Sequence, residues 1–268
     1  MPDVENQDIA KPDAAKPDAA KTAAPAIDST VAILDLLSAS PWPLQLSEIC
    51  EKTGIAQATA HRIVNAMLSH RLIALAPGRR KTYVAGSRLF QLASAVFARQ
   101  PFVPHFYPIA EILKNEIHRS IFLSLPIGNQ VVILARLDAP ASTAFNAYVG
   151  RTMPMHLSAS GKAILAARPL EDQLTYLRDE GLAAPDMAAG LPALAQDLQR
   201  SARLGYAVGL NEIQRDVGCV AAPVMNGRGE PVAAISACFT GEALNLQSAR
   251  VYSKNVVQAA RQLSSHIL

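Results

Sequence analysis

Gln57, Ala58, Thr59, His61, Arg62 and Asn65 crowd into nine consecutive positions, and their side chains suit reading base edges better than breaking bonds. Arginine offers two parallel donors to guanine O6 and N7, glutamine and asparagine match the acceptor and donor of adenine, and an alanine methyl suits the thymine methyl. Thr59 and Asn65 each have an equally good local use, as a backbone cap and as a solvent-facing spacer. Downstream, Arg79, Arg80 and Lys81 stand together without an apolar partner, a composition that fits phosphate or the minor groove. The surrounding segment lacks the opposite charge. From Lys52 to Ala110 there is no Asp or Glu, where the average density would place about five, and there are eight Lys and Arg. A surface of one sign attracts a polyanion, because each phosphate neutralised releases condensed counterions. Double-stranded DNA is the partner these residues imply.

The other chemically capable residues are thiols and imidazoles. Cys219 or Cys238 with His156 would make a nucleophile and its base, but no third residue stands out to orient that base. A cysteine in so apolar a run is more often core, and the expectation is that the chain is not an enzyme. The same thiols leave open a redox-sensing alternative. Cys50, Cys219 and Cys238 include no CxxC and no histidine at zinc spacing, so neither a disulfide scaffold nor a structural metal is expected, nor any cofactor. Such usage fits a reducing cytoplasm. No run approaches the ~18 apolar residues that would span a bilayer, and the acidic, proline-rich N-terminus lacks the pattern of a secretory signal.

The elements that must position these groups follow from periodicity. Residues 1–27 carry the near-repeat Lys-Pro-Asp-Ala-Ala and little to bury, which predicts a disordered tail. Asp28 would cap a first helix that ends at Pro41-Trp42-Pro43, and Ser47 a second that closes at Gly54. A third helix, from about Ala56 to Ser69, places Ala60, Ile63, Val64 and Met67 inward and leaves Ala58, Arg62, Asn65 and Ser69 outward. Two strand-like runs, 72–75 and 82–84, flank the basic tip. Three helices followed by a basic hairpin form a winged helix-turn-helix over 28–85.

An amphipathic linker helix occupies 86–100, and Pro101, Pro104 and Pro108 mark the boundary beyond it. Net charge follows the same division: −3 over residues 1–30, +5 over 31–100 and +1 over 101–268. The remaining 168 residues are too many and too patterned for a dimerisation tag alone. They alternate helical runs near 105–118, 161–167, 170–180, 191–204 and 246–267 with strands near 120–126, 130–137, 143–149, 217–225 and 231–239. The last two pair through Gly227-Arg228-Gly229. An α+β domain around an antiparallel sheet is the expectation for 101–268.

Taken in order, several segments resemble the IclR family of bacterial transcriptional regulators. They are Ala32–Leu37, Thr53–Arg62, Tyr83–Leu89, Met155–Ala163, Gly205-Tyr206 and Gly218–Val224. The resemblance covers roughly residues 28–268. It implies a winged helix, a dimerising linker helix and a GAF-like effector domain that takes a small organic acid. Carried over by position, it implies effector contacts at Ala159, Ser160, Gly209, Cys219, Ser236 and Cys238. Backbone N–H groups at a helix start favour a carboxylate, and Ser236 and Cys238 share one face of a strand.

Relatives often carry an acid where Gly209 stands, and serine occurs where Cys238 stands. Both departures point to open volume and a bulkier or less polar effector, aromatic or otherwise hydrophobic rather than a two- or three-carbon keto acid. The family's Pro-Gly before the cysteine is also altered, to Arg215-Asp216-Val217-Gly218. A homodimer or tetramer on an inverted-repeat operator completes the expectation.

Overall fold

The computed structural model describes residues 24–78, 81–97, 102–139, 147–182, 191–240 and 245–267. The chain divides into two compact units, Met1–Arg99 and Gln100–Leu268.

In the first unit, α1 (Pro25–Ala39) starts ahead of the cap expected at Asp28, with Ala24 as N-cap and proline in its opening turn. Proline suits that position because its missing N–H would have no helical partner there. Residues 25–27, read from sequence as tail, are therefore helical, and the rest of the tail lies outside the described residues. After β1 (Leu44–Gln45), α2 (Leu46–Thr53) is capped at Gln45, ahead of the expected Ser47. The Gln45 N–H donates to Glu48 Oε2 at 2.6 Å, which satisfies an amide that the helix itself cannot. Gly54, at φ 72°, ends α2 in the left-handed region expected of it.

α3 (Gln57–Ser69) buries Ala60, Ile63, Val64 and Met67, the four positions its periodicity selects. The last three of these pack with Ile33 and Leu37 of α1, Ile49 of α2, Ile73 and Tyr83. β2 (Ile73–Leu75) and β3 (Thr82–Ala85) pair antiparallel, and β1 joins on the far side of β3. α4 (Ser87–Phe97) follows.

The second unit is a six-stranded antiparallel sheet in the order β6-β5-β4-β9-β8-β7. Its strands are β4 (Ser120–Ile127), β5 (Gln130–Leu137), β6 (Thr152–Pro154), β7 (Ala207–Leu210), β8 (Val217–Met225) and β9 (Pro231–Thr240). The strand expected at 143–149 falls mostly outside the described residues, and 147–149 are not strand. The short edge strands β6 and β7 take positions that alternation did not mark. α5 (Val103–Ile117) and α9 (Leu246–Ser264) pack together and against the sheet. α6 (Ala159–Ala167), α7 (Leu170–Asp179) and α8 (Leu191–Leu204) form a second helical group, in which α6 lies on β7, β8 and β9.

Helices on both faces explain why β8 and β9 read as nearly unbroken apolar runs. Val220, Ala222, Val224, Ala233, Ile235 and Ala237 are fully buried on one face, while Ala221, Ala234, Ser236 and Cys238 are buried on the other. Among the described residues, no helix is long and apolar enough to cross a membrane.

Candidate nucleic-acid interface and effector cavity

The outward face of α3 carries the whole set marked by the sequence: Gln57, Ala58, Thr59, His61, Arg62 and Asn65 are all exposed. Gln57 is the first helical residue, so the N-terminal turn that normally meets base edges is unobstructed. Asn65 Nδ2 lies 3.3 Å from His61 Nδ1, so the two side chains of this face are hydrogen-bonded to each other. Lys52, Arg62, Arg71, Lys81 and Arg88 are exposed, and none forms an ion pair among the described residues. Their charge is uncompensated, as the absence of acids requires. Lys81 stands at the end of the hairpin tip with φ 60°; Arg79 and Arg80 lie outside the described residues.

The second unit encloses a cavity with about 460 Å³ of atom-free space, its mouth included, between the N-terminus of α6 and the strands beneath. Ala159, Ser160, Gly209, Cys219, Ser236 and Cys238 all line it. Register explains their convergence. Gly209, Cys219 and Cys238 are successive partners across β7, β8 and β9; the next row on that face runs Ala221, Ser236, Phe122. Ser158 caps α6 and its Oγ accepts the Gly161 N–H at 3.0 Å. The Ala159 and Ser160 amides remain at the helix's positive end, where an anion is favoured. The walls are largely apolar, from Phe122, Ile133, Met153, Leu157, Ile213 and Val217.

Two features depart from the sequence expectation, and a third bears on the alternative it set aside. First, the space beside Gly209 is not open. A Cβ there would stand 2.9 Å from Glu212 Oε2 and 3.3 Å from the Ala159 nitrogen, so the glycine makes room for a carboxylate supplied three residues later. The loop is folded to deliver it: Asn211 adopts φ 58°, its N–H donates to Val217 O, and its Oδ1 accepts the Asp216 N–H. Glu212 Oε1 accepts from Lys162 Nζ at 2.6 Å, and Lys162, 1% exposed, also lies 3.5 Å from Asp197 Oδ2. Arg200 holds the other oxygen of Asp197. Burial raises the Glu212 carboxyl above the usual carboxylate range, and the Lys162 hydrogen bond pulls against that rise.

Second, Cys219 and Cys238 face each other with Cα atoms 4.2 Å apart and are joined as a disulfide; they are not separate core thiols. The hairpin register makes them partners although 19 residues separate them in sequence. Third, His156 is not directed at either thiol. Its Nδ1 lies 2.7 Å from Tyr176 Oη, which also accepts the His156 backbone N–H. Burial holds the ring below its ordinary pKa against the pull of Glu180, and burial also pushes Tyr176 up to about 12. A neutral ring accepting the tyrosine proton satisfies both groups, and the nucleophile–base pair is not assembled.

Sequence reading had assigned no role to Lys162, Asp197, Glu212 or Ser124. A lysine among the alanines of α6 is the one signal that could have been followed, since a cation on an apolar helix needs buried acids.

The model of the IclR helix-turn-helix domain matches residues 26–76, and that of the bacterial transcriptional regulator IclR C-terminal domain matches residues 95–265. The HTH-type transcriptional regulator BhcR of Paracoccus denitrificans is 32% identical over 244 residues, 89% of this chain and 86% of that protein. The HTH-type transcriptional repressor AllR of Escherichia coli is 24% identical over 90% of both chains. The solved IclR of Thermotoga maritima superposes with a TM-score of 0.72 at 23% identity, covering 89% of this chain and 97% of that one. An IclR homologue from Microbacterium hydrocarbonoxydans, solved with 4-hydroxybenzoate, also gives 0.72 at 21% identity, covering 90% and 98%. Solved relatives at such identities carry the fold. The two domain matches, with a relative at 32% identity along most of both chains, carry the family: this chain belongs to the IclR family of bacterial transcriptional regulators, with a DNA-binding helix-turn-helix domain followed by an effector-binding domain.

Proposed function

We propose that this regulator binds an inverted-repeat operator as a homodimer or larger homo-oligomer in the cytoplasm, and that a small carboxylate with an apolar, aromatic body controls that binding. The genes controlled would belong to a catabolic operon that consumes the effector. The observation that carries the reading is the cavity itself: helix-start amides at one end, apolar walls around the rest, and a few polar groups to fix orientation. The 4-hydroxybenzoate in the Microbacterium homologue is in keeping with such a ligand. The effector acts by favouring one arrangement of the two reading heads, since equal affinity for both would shift nothing.

On the DNA side, Arg62→Ala is expected to weaken specific binding by about 1–3 kcal/mol and relax preference at one position per half-site. Arg80→Ala should weaken binding to every sequence and lower the salt slope by roughly one. Equal, sequence-independent losses would mean that α3 is not the reader.

The effector side is tested by calorimetry on the full-length protein with short keto acids and benzoate-type acids at several pH values. A carboxylate entering beside Glu212 stabilises that residue's protonated form, so binding takes up a proton and affinity falls as pH rises. Lys162 and Asp197, which face the same carboxyl, oppose each other in this effect. Glu212→Gln should bind the acid with a flat pH profile. Affinity for only the small polar acids would overturn the aromatic assignment. The Cys219–Cys238 pair favours a second reading, thiol-based control; operator binding that answers peroxide and no acid would select it.

A further inference from the structure

Among the described residues, Ser124 is the one polar side chain that lines the cavity and has a buried, unpartnered oxygen. The residue is 1% exposed and its Oγ has no hydrogen-bond partner. A buried hydroxyl without a partner is unfavourable, and native proteins rarely tolerate one without a use. Its place on β4 is regular: it follows Phe122 in unbroken register with β9, and stands opposite Ala234. The extra residue at the β4–β5 register shift is Leu134 of β5, which leaves Ile133 as the partner of Ser124 on the other side.

The neighbours across both strands are apolar and offer nothing to a hydroxyl. Along β4, Ser124 is one step beyond Phe122, whose partner is Ser236. The three rows of strand residues under the cavity thus run from Gly209–Cys219–Cys238, through Ala221–Ser236–Phe122, to Ala234–Ser124–Ile133. The first row lies at the α6 amides, because the Gly209 Cβ position is 3.3 Å from the Ala159 nitrogen. Ser124 belongs to the last row, two rows away.

We propose that Ser124 is the second polar anchor of this cavity, and that the effector is a carboxylic acid bearing a hydroxyl or carbonyl oxygen on the part remote from its carboxylate. This rests on the reading of the cavity as an acid-binding effector site and narrows its ligand class. The carboxylate lies at the α6 amides, the apolar body crosses Ser236 and Phe122, and the remote oxygen exchanges a hydrogen bond with Ser124 Oγ. An unsubstituted acid leaves Ser124 unpartnered and binds less well for that reason. Discrimination of this kind comes from the site's own unsatisfied group, not from extra contact area.

The test is calorimetric titration of the full-length protein with benzoate, 3-hydroxybenzoate and 4-hydroxybenzoate, repeated on Ser124→Ala and Ser124→Thr. In the wild type, at least one hydroxylated acid should bind about tenfold more tightly than benzoate, the worth of one buried hydrogen bond. Ser124→Ala should reduce that preference to within about threefold, while Ser124→Thr retains it. The apo Ser124→Ala protein should melt no lower than wild type, because a hydroxyl with no partner has been removed. A hydroxyl preference that survives Ser124→Ala, or equal wild-type affinity for all three acids, overturns the assignment while leaving the acid site intact. Failure of every acid to bind the wild type overturns the site reading and this proposal together.

Discussion

Full-length protein carrying Phe90→Asp is expected to sediment as a monomer and to lose about a hundredfold or more in affinity for an inverted-repeat operator. The reason lies in α4. Phe90 is 77% exposed, Val96 55% and Leu92 48%, so the first unit leaves large apolar side chains of α4 in water. Exposed apolar surface of this kind marks an interaction surface. The segment around it has no acidic residue that would repel a second, equally basic copy's DNA or pair with it in place of DNA. A two-fold pairing of α4 would present two α3 helices to two half-sites, and the second half-site then binds at the high effective concentration set by the first. A carboxylate at position 90 cannot be buried in that seam without a partner. Analytical ultracentrifugation and operator titration check the two halves of the expectation separately. A wild-type monomer, or a Phe90→Asp dimer with full affinity, would show that α4 does not join the subunits.

Gly161→Ala is expected to have the largest effect in the effector domain. A Cβ at 161 would overlap the Met155 backbone at its Cα, carbonyl carbon and oxygen, and none of these can swing aside like a side-chain tip. The third residue of α6 therefore rests directly on the turn Met155–Leu157, and that contact places the helix start over the cavity. Forcing the two apart should cost about 3 kcal/mol, and a unit of this size would then melt roughly 6–12 °C lower. The Ala159 and Ser160 amides move with the helix, so acid affinity should fall even where the protein remains folded. Differential scanning calorimetry with and without the acid measures both. Wild-type melting with undiminished acid binding would mean that the α6 start can shift without consequence.

How much of this was legible beforehand depended on whether the physics is local. The spacing of Ala60, Ile63, Val64 and Met67, the glycine at 54 and the absence of acids from 52 to 110 are properties of contiguous residues, and each appears in the structure as expected. The exposed set from Gln57 to Asn65 follows, because a helix that buries one face displays the other. Helix starts were read less well. Ser and Asp are the commonest caps, yet Gln45 with Glu48, and Pro25 after Ala24, supply the same satisfaction of free amides from other residues.

The cavity is divided along the same line. Its lining at Ala159, Ser160, Gly209, Cys219, Ser236 and Cys238 was named through the family resemblance, and the structure brings those six together. The Cys219–Cys238 pairing was out of reach of the hairpin turn alone, since the β8–β9 register shifts by one between Val224 and Met225 and only then sets Cys219 opposite Cys238. Glu212 and Ser124 were not within reach either. Glu212 matters because a six-residue loop closes on itself and Gly209 leaves space for a carboxylate, a relation between three separate segments that no spacing encodes. Ser124 matters because its partners on both neighbouring strands, Ile133 and Ala234, are apolar, which depends on which strands pair and in what register. The sequence by itself determined which face of α3 is displayed and which is buried, because periodicity and charge are carried by neighbouring residues. Only the tertiary structure decided which polar groups of the effector domain are satisfied and which are left without a partner, because a hydrogen bond across a sheet depends on register, on loop closure and on what the opposing strand happens to place there.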